Sequence, residues 1–315
     1  MKNISELFDG GTKEMQKKKR VTFYAICVTF ALLAATLIFL LVTVIVISVG
    51  NAKDKSKEDG DEPVNIGTTE IITLDSAQIY SGDLLLLDNE HSFKGKADVI
   101  LMKSKERPQT DTGTNAYTIG EMEKFSGTKE AIDALNNMIK AFYKSTKNDN
   151  IYIANAYNTE KVDTQDAIYA SGTAFELKYF SAAADRDWTK KDSIYGASTY
   201  NWIYNNAHKY GFIVVNGMGG VNENGEEIGS SVFRYIGIPN ATAAKNSKQS
   251  FDAYLEALKA TTPEAPVSAK VGTARYAIYY LGASAEHKVP TDYEYTVSGN
   301  NTDGYIITVD LSAKK

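Results

Sequence analysis

The stretch Asp166–Phe180, DAIYASGTAFELKYF, sets a small-Gly-x-Ala core just ahead of a carboxylate, Glu176. That is the shape of a metal-binding strand entry, where a glycine turn delivers two donors to one ion. Catalytic zinc takes His, Asp or Glu ligands, and the position three residues before Gly172 is where such an entry wants histidine. Tyr169 stands there instead. The chain has three histidines, His91, His208 and His287, and none is spaced from another as a zinc ligand would be. Two further strings hint at nucleophilic chemistry. Ser126–Lys129 (SGTK) fits a Ser-x-x-Lys box, and Lys270–Thr273 (KVGT) resembles a Lys-Thr-Gly box. No Ser-Asp-Asn-like segment joins them, so a helix start and a loop before a strand are the better readings.

These residues sit on elements that the sequence pattern outlines. Ala131, Ile132, Leu135, Met138, Ile139 and Phe142 recur at helical spacing, with Thr128 placed to cap the start. NIYIANAYN and TAFELKYF alternate as strands; in the second, Phe175, Leu177 and Tyr179 share one face and Ala174, Glu176 and Lys178 the other. STYNWIYNNAHKYG reads as a helix stopped by Gly211 and followed by the strand FIVVN. SVFRYIG is another strand, and SKQSFDAYLEALKA a helix. The apolar run Leu84–Leu87, bounded by turn residues, reads as a short strand, and ERPQTDTGTNAYTIG as loop. From about Ser268 the chain turns to Tyr-rich strands, ARYAIYYLG, DYEYTVSG and GYIITVDL. Helices and strands mix without a regular βαβ alternation, which makes the fold class α+β.

Composition adds a compartment. The chain has 315 residues, 43% hydrophobic and 23% charged, with a formal net charge of −5. That charge, and the lack of a basic patch, argue against nucleic acid as a partner. Val21–Val49 carries no charged residue over 29 positions, more than the roughly 20 needed to span a bilayer. It is also longer than the h-region of a signal peptide. Lys17, Lys18, Lys19 and Arg20 abut its N-terminal end, which places that end in the cytoplasm and the rest outside. The single cysteine, Cys27, lies inside the segment, so the outer part has no disulfide. A disulfide-free outer part on a single-pass anchor fits a bacterial cell-surface protein. The expected layout is a cytoplasmic tail over 1–20, a transmembrane helix over 21–49 and a linker over 50–67.

Taken in order, AIDALNNMIKAFYK, IYIANAYN, TQDAIYASGTAFEL, NWIYNNAHKYGFIV and SSVFRYIG resemble the core of VanY-type D-Ala-D-Ala carboxypeptidases. The resemblance spans about Gln78 to Leu258, and AHKYGF and FRYIG are its most specific strings. It implies a carboxypeptidase-like domain over 68–262 with a β-rich extension over 263–315. Members of the family are zinc enzymes that trim the peptide stems of bacterial cell wall.

The family pattern Ser-x-His-x-x-Gly-x-Ala-x-Asp, aligned on Gly172 and Ala174, puts Tyr169 at the histidine ligand and Glu176 at the aspartate ligand. Its Glu-x-x-His motif, aligned on Arg234 and Tyr235, puts Gly229 at the general base and Val232 at the last ligand. The arginine that holds the substrate carboxylate becomes Asn158. Valine has no lone pair, tyrosine is a poor ligand beside imidazole, and glycine cannot take a proton.

The resemblance so corrected implies a pseudo-peptidase with no catalytic residue and no cofactor, zinc being the cofactor of the family. Its partner would be peptidoglycan stem peptide or another envelope protein, held in a cleft lined by Tyr157, Tyr169, Glu176 and Arg234. An active D,D- or L,D-carboxypeptidase with a non-standard site, and a structural envelope scaffold, are the alternatives.

Overall fold

The computed structural model describes residues 64–103, 106–119, 125–157, 165–181, 191–215, 218 and 229–315. The segment 21–49, its flanks and Asn158 lie outside these residues. No helix among the described residues is long and apolar enough to cross a membrane.

Ahead of its first α-helix the described chain supplies four short strands, β1 (Thr69–Ile72), β2 (Val99–Leu101), β3 (Thr118–Ile119) and β4 (Ser126–Thr128). β4 pairs with β2 and runs directly into helix α1 (Lys129–Thr146). Thr128 makes that transition: its Oγ1 accepts the Ala131 N–H at 3.3 Å, satisfying a donor the first turn would leave unpaired. All six apolar residues of the helical repeat are buried on one face of α1. The segment 106–120, expected to be loop throughout, contributes β3, which lies parallel to the next strand.

That strand, β5 (Tyr152–Asn155), is followed by β6 (Ala174–Phe180) and β7 (Lys191–Ser193). The next helical stretch comes in three pieces: a 3-10 turn, α2 (Asn201–Asn206), and a second 3-10 turn ending at Tyr210. Gly211 ends it with φ +87, and a Cβ there would also meet the Tyr235 ring at 2.5 Å. β8 (Phe212–Val214) and β9 (Val232–Tyr235) complete a sheet of order β3-β5-β6-β9-β8, with β7 beside β6. One face carries Phe175, Leu177 and Phe233 against Leu135, Met138 and Phe142 of α1. The other face carries Ala174 and Val232.

Helix α3 (Ile238–Ser247) has no counterpart in the sequence reading. It is followed by α4 (Phe251–Leu258), which falls within the expected helix. α3 starts on Pro239 in its first turn, and Asn240, Ala241, Thr242, Ala243 and Ala244 are all buried. A helix of small residues buried in succession shows no apolar stripe, which is why periodicity misses it.

The tail forms an antiparallel sheet from β10 (Val267–Val271), β11 (Ala274–Gly282), β13 (Tyr293–Gly299) and β14 (Gly304–Lys314), in the order β10-β11-β14-β13. β12 (His287–Pro290) pairs instead with β1. Ala269, Ile278 and Ile306 of this sheet share a core with Ala241 of α3 and with Tyr254, Leu255 and Leu258 of α4.

The run Leu84–Leu87 is not a strand. Leu84 enters the core between tail and helices, while Leu85 and Leu87 turn to the free face of the central sheet. Its amides are satisfied one at a time, Leu84 N–H by Ser298 Oγ at 2.9 Å and Leu86 N–H by Asn300 O at 3.0 Å. An apolar run shared between two cores has the composition of a buried strand without a ladder to join.

Candidate functional site

The region aligned with the family's metal motifs lies on the free face of β6 and β9. A 3-10 helix, Gln165–Ser171, brings the chain to this face. Gly172 then turns it into β6 with φ +72, and a Cβ there would strike Val99 Cγ1 at 2.6 Å. Ser171 Oγ and Thr173 Oγ1 lie 2.7 Å apart across that turn. The glycine of the motif is thus needed by the backbone, whatever chemistry follows.

Register then brings the candidate residues together. In the antiparallel pairing of β6 with β9, Glu176 faces Val232 and Ala174 faces Arg234. Glu176 also lies opposite Asn155 of β5. Strand alternation puts Ala174, Glu176, Val232 and Arg234 on the same side of the sheet. Tyr169, 1% exposed, and Val232, 2% exposed, belong to one apolar cluster with Leu85, Leu87, Ile168 and Ala174. Glu176 is half-buried and its Oε1 lies 3.1 Å from Lys178 Nζ. Tyr157 follows β5 as a half-buried residue whose N–H donates to Ser126 O at 3.2 Å, and Asn158 lies outside the described residues.

Gly229 has a neighbour of its own. A Cβ at that position would lie 2.0 Å from the Tyr195 ring, so a longer side chain requires that ring to move. Tyr195 is 49% exposed and packs edge-on against Tyr204, whose hydroxyl donates to Ser230 O at 3.0 Å.

Arg234 is a buried charge on this face. It is 2% exposed, and its Nη2 donates to the Asp83 backbone oxygen at 3.1 Å. Its guanidinium lies over the Phe251 ring, 5.3 Å from the centroid. Burial lowers its pKa to about 10, and burial likewise pushes the Asp83 carboxyl up to about 6, against the pull of Arg234.

The donor set on this face does not fit zinc. Three protein ligands are required, and of the aligned positions only Glu176 offers a carboxylate, already facing Lys178. Among the described residues no group of three or more His, Cys, Asp or Glu could hold a metal ion. His91 is bound to Asp88 across 2.8 Å, His208 has its pKa lowered by burial at the end of the second helical stretch, and His287 lies in β12.

No family model matches the chain. A curated D-alanyl-D-alanine carboxypeptidase of Enterococcus faecium is 26% identical over 266 residues, covering 78% of this chain and 82% of that protein. The chain is thus similar along most of its length to a D-Ala-D-Ala carboxypeptidase. Among solved structures, the vancomycin-resistance D,D-dipeptidase VanXYg, in complex with a D-Ala-D-Ala phosphinate analog, superposes with a TM-score of 0.57. It is 16% identical and covers 78% of this chain and all of its own. That likeness gives the chain the α+β fold of that dipeptidase. Leu85, Leu87 and Tyr195, which fill the space around the aligned positions, carry no motif of their own and are assigned by the structure alone.

Proposed function

We propose that this chain is a zinc-free pseudo-peptidase of the VanY-type family, which binds cell-wall stem peptide outside the membrane without cleaving it. The carrying observation is the apolar packing of Tyr169 and Val232 with Leu85, Leu87 and Ile168, at the positions aligned with two metal ligands. A zinc ion there would need two imidazoles, and it would meet an aliphatic wall with no lone pair to offer. Gly229, at the aligned base position, has no group to take a proton from water, and the Tyr195 ring covers it. In this reading the five substitutions, at Tyr169, Glu176, Val232, Gly229 and Asn158, are one coordinated change: binding is kept and hydrolysis is lost.

The segment 21–49 serves as a single-pass anchor, with residues 1–20 in the cytoplasm and 50–67 as linker to the outer domain. Its length and basic flank support this. The test is to titrate the full-length chain with a stem pentapeptide ending in D-Ala-D-Ala and to assay the same mixture for free D-alanine. Saturable binding without release is expected; absence of saturable binding would favour a scaffold role.

A further inference from the structure

Where the tail sheet meets the start of α1 and the end of β9, the protein keeps an open cavity of about 620 Å³. Its volume lies within the range of small-molecule sites, roughly 300–1,000 Å³. None of Tyr157, Tyr169, Glu176 and Val232 lines it, so it is separate from the region aligned with the metal motifs. Its charge is of one sign. Asp83, Glu130, Glu294 and Asp310 line it, and no Lys, Arg or His stands among the described residues of the lining.

Two observations set this cavity apart from an ordinary solvated acidic surface. The Asp83 side chain is largely buried, yet its carboxyl accepts no hydrogen bond and joins no ion pair among the described residues. Arg234 donates to the Asp83 backbone oxygen instead, and its attraction offsets only part of the burial that raises the carboxyl to about 6. A buried carboxyl without a partner is costly, and native interiors rarely leave one so. In the tail, the pairing of β13 with β14 sets Glu294 directly opposite Asp310. Residues so opposed point to one face with their Cβ atoms about 4.5–5.5 Å apart, where like charges destabilise the pair. Asp310 Oδ1 accepts the Ser312 N–H at 2.8 Å, but neither carboxylate joins an ion pair among the described residues.

The four acidic groups are not gathered around one point. No three of the described His, Cys, Asp or Glu residues could hold a metal ion together. They form two pairs, each beside a tyrosine. Asp83 and Glu130 act together on the Tyr235 hydroxyl, which they and burial push up to about 12, so that it stays neutral. Asp310 lies opposite Tyr276 of β11 as well as Glu294. The tyrosine rings offer faces to a cation, and Leu84, Ile236 and Pro239 add apolar surface. Two anionic pairs with apolar lining suit a ligand that carries two ammonium groups on a methylene chain.

We propose that this cavity binds a linear aliphatic diamine or polyamine, with one ammonium on Asp83 and Glu130 and another on Glu294 and Asp310. The site stands apart from the function proposed above, since neither zinc content nor D-alanine release bears on it.

Calorimetric titration of the full-length chain with 1,4-diaminobutane and with spermidine tests it, beside butylamine and magnesium chloride at about 0.15 M salt. At least one of the two polyvalent amines should bind saturably. Butylamine, which can meet only one of the pairs, should bind at least about tenfold more weakly. Asp83→Asn keeps the shape of the side chain and should weaken binding about ten- to a hundredfold. Because that change touches a largely buried residue, Glu294→Gln, at an exposed position, provides the second variant and should weaken binding about two- to fivefold. The proposal is overturned if neither polyvalent amine binds saturably, or if butylamine or magnesium binds as tightly. An affinity unchanged in either variant would overturn it too.

Discussion

The two faces of the central sheet have had different fates. On one, Phe175, Leu177 and Phe233 pack on α1 as the alternation of the strands dictates. On the other, the same strands present Ala174, Glu176, Val232 and Arg234, where the family's chemistry would be. The first face carries the fold and keeps the apolar residues that any sheet-on-helix packing requires. The second carries the Gly172 turn and the β6–β9 register and is filled by Leu85 and Leu87. In the function proposed above, such a frame persists while the groups of the family's chemistry give way to a second, smaller core.

If the second face is a core, it must behave as one. Leu135→Ala on α1 is expected to cost about 2–5 kcal/mol by chemical denaturation, and Leu85→Ala should fall in the same range, since both side chains are fully buried. A cost below about 1 kcal/mol for Leu85→Ala would mean that the free face is loosely filled, and the contrast drawn here would become one between a core and an open cleft.

A second intervention probes the preserved frame. Tyr169→His combined with Val232→His sets two imidazoles beside Glu176, the ligand number that a catalytic zinc uses. The double variant should bind about one zinc per chain and, without metal, be less stable by about 1–3 kcal/mol because two polar rings enter an apolar cluster. Stability curves with and without zinc would show both effects. Failure to gain zinc would mean that the register no longer preserves the ligand geometry.

A third test concerns Asp83. Its carboxyl is raised from 3.8 to about 6 in the folded protein, chiefly by burial, so the folded state holds that proton more tightly than the unfolded chain does. Wild-type stability should therefore fall as pH rises from about 4 to about 6, and Asp83→Asn should remove that part of the slope, at most about 3 kcal/mol. An unchanged slope in the variant would assign the pH dependence to other groups.

How far the sequence could be read follows the same division. Helix α1 was legible because an amphipathic stripe and a capping threonine agree. The α+β class and the motif positions on β6 and β9 were legible because glycine, alternation and the FRYIG string mark them locally. Helix α3 was not, since small residues buried in succession give no stripe. The Leu84–Leu87 run was read as a strand, because a short apolar segment looks the same whether it joins a ladder or fills two cores. The filling of the site was the least legible. Arg234 and Asp83 meet across 151 residues, and Leu85 meets Val232 over a similar separation, with no local spacing to announce either contact.

The central claim is the one proposed above, that Tyr169 and Val232, at two of the three positions aligned with metal ligands, are packed in an apolar core and that the chain holds no zinc. Its most direct test is to equilibrate the full-length wild-type chain with excess zinc, remove the unbound metal, and measure zinc per chain beside D-alanine release from a stem pentapeptide. Far less than one zinc per chain, with release at the level of the protein-free control, is expected. One zinc per chain, with release that a chelator abolishes, would contradict it.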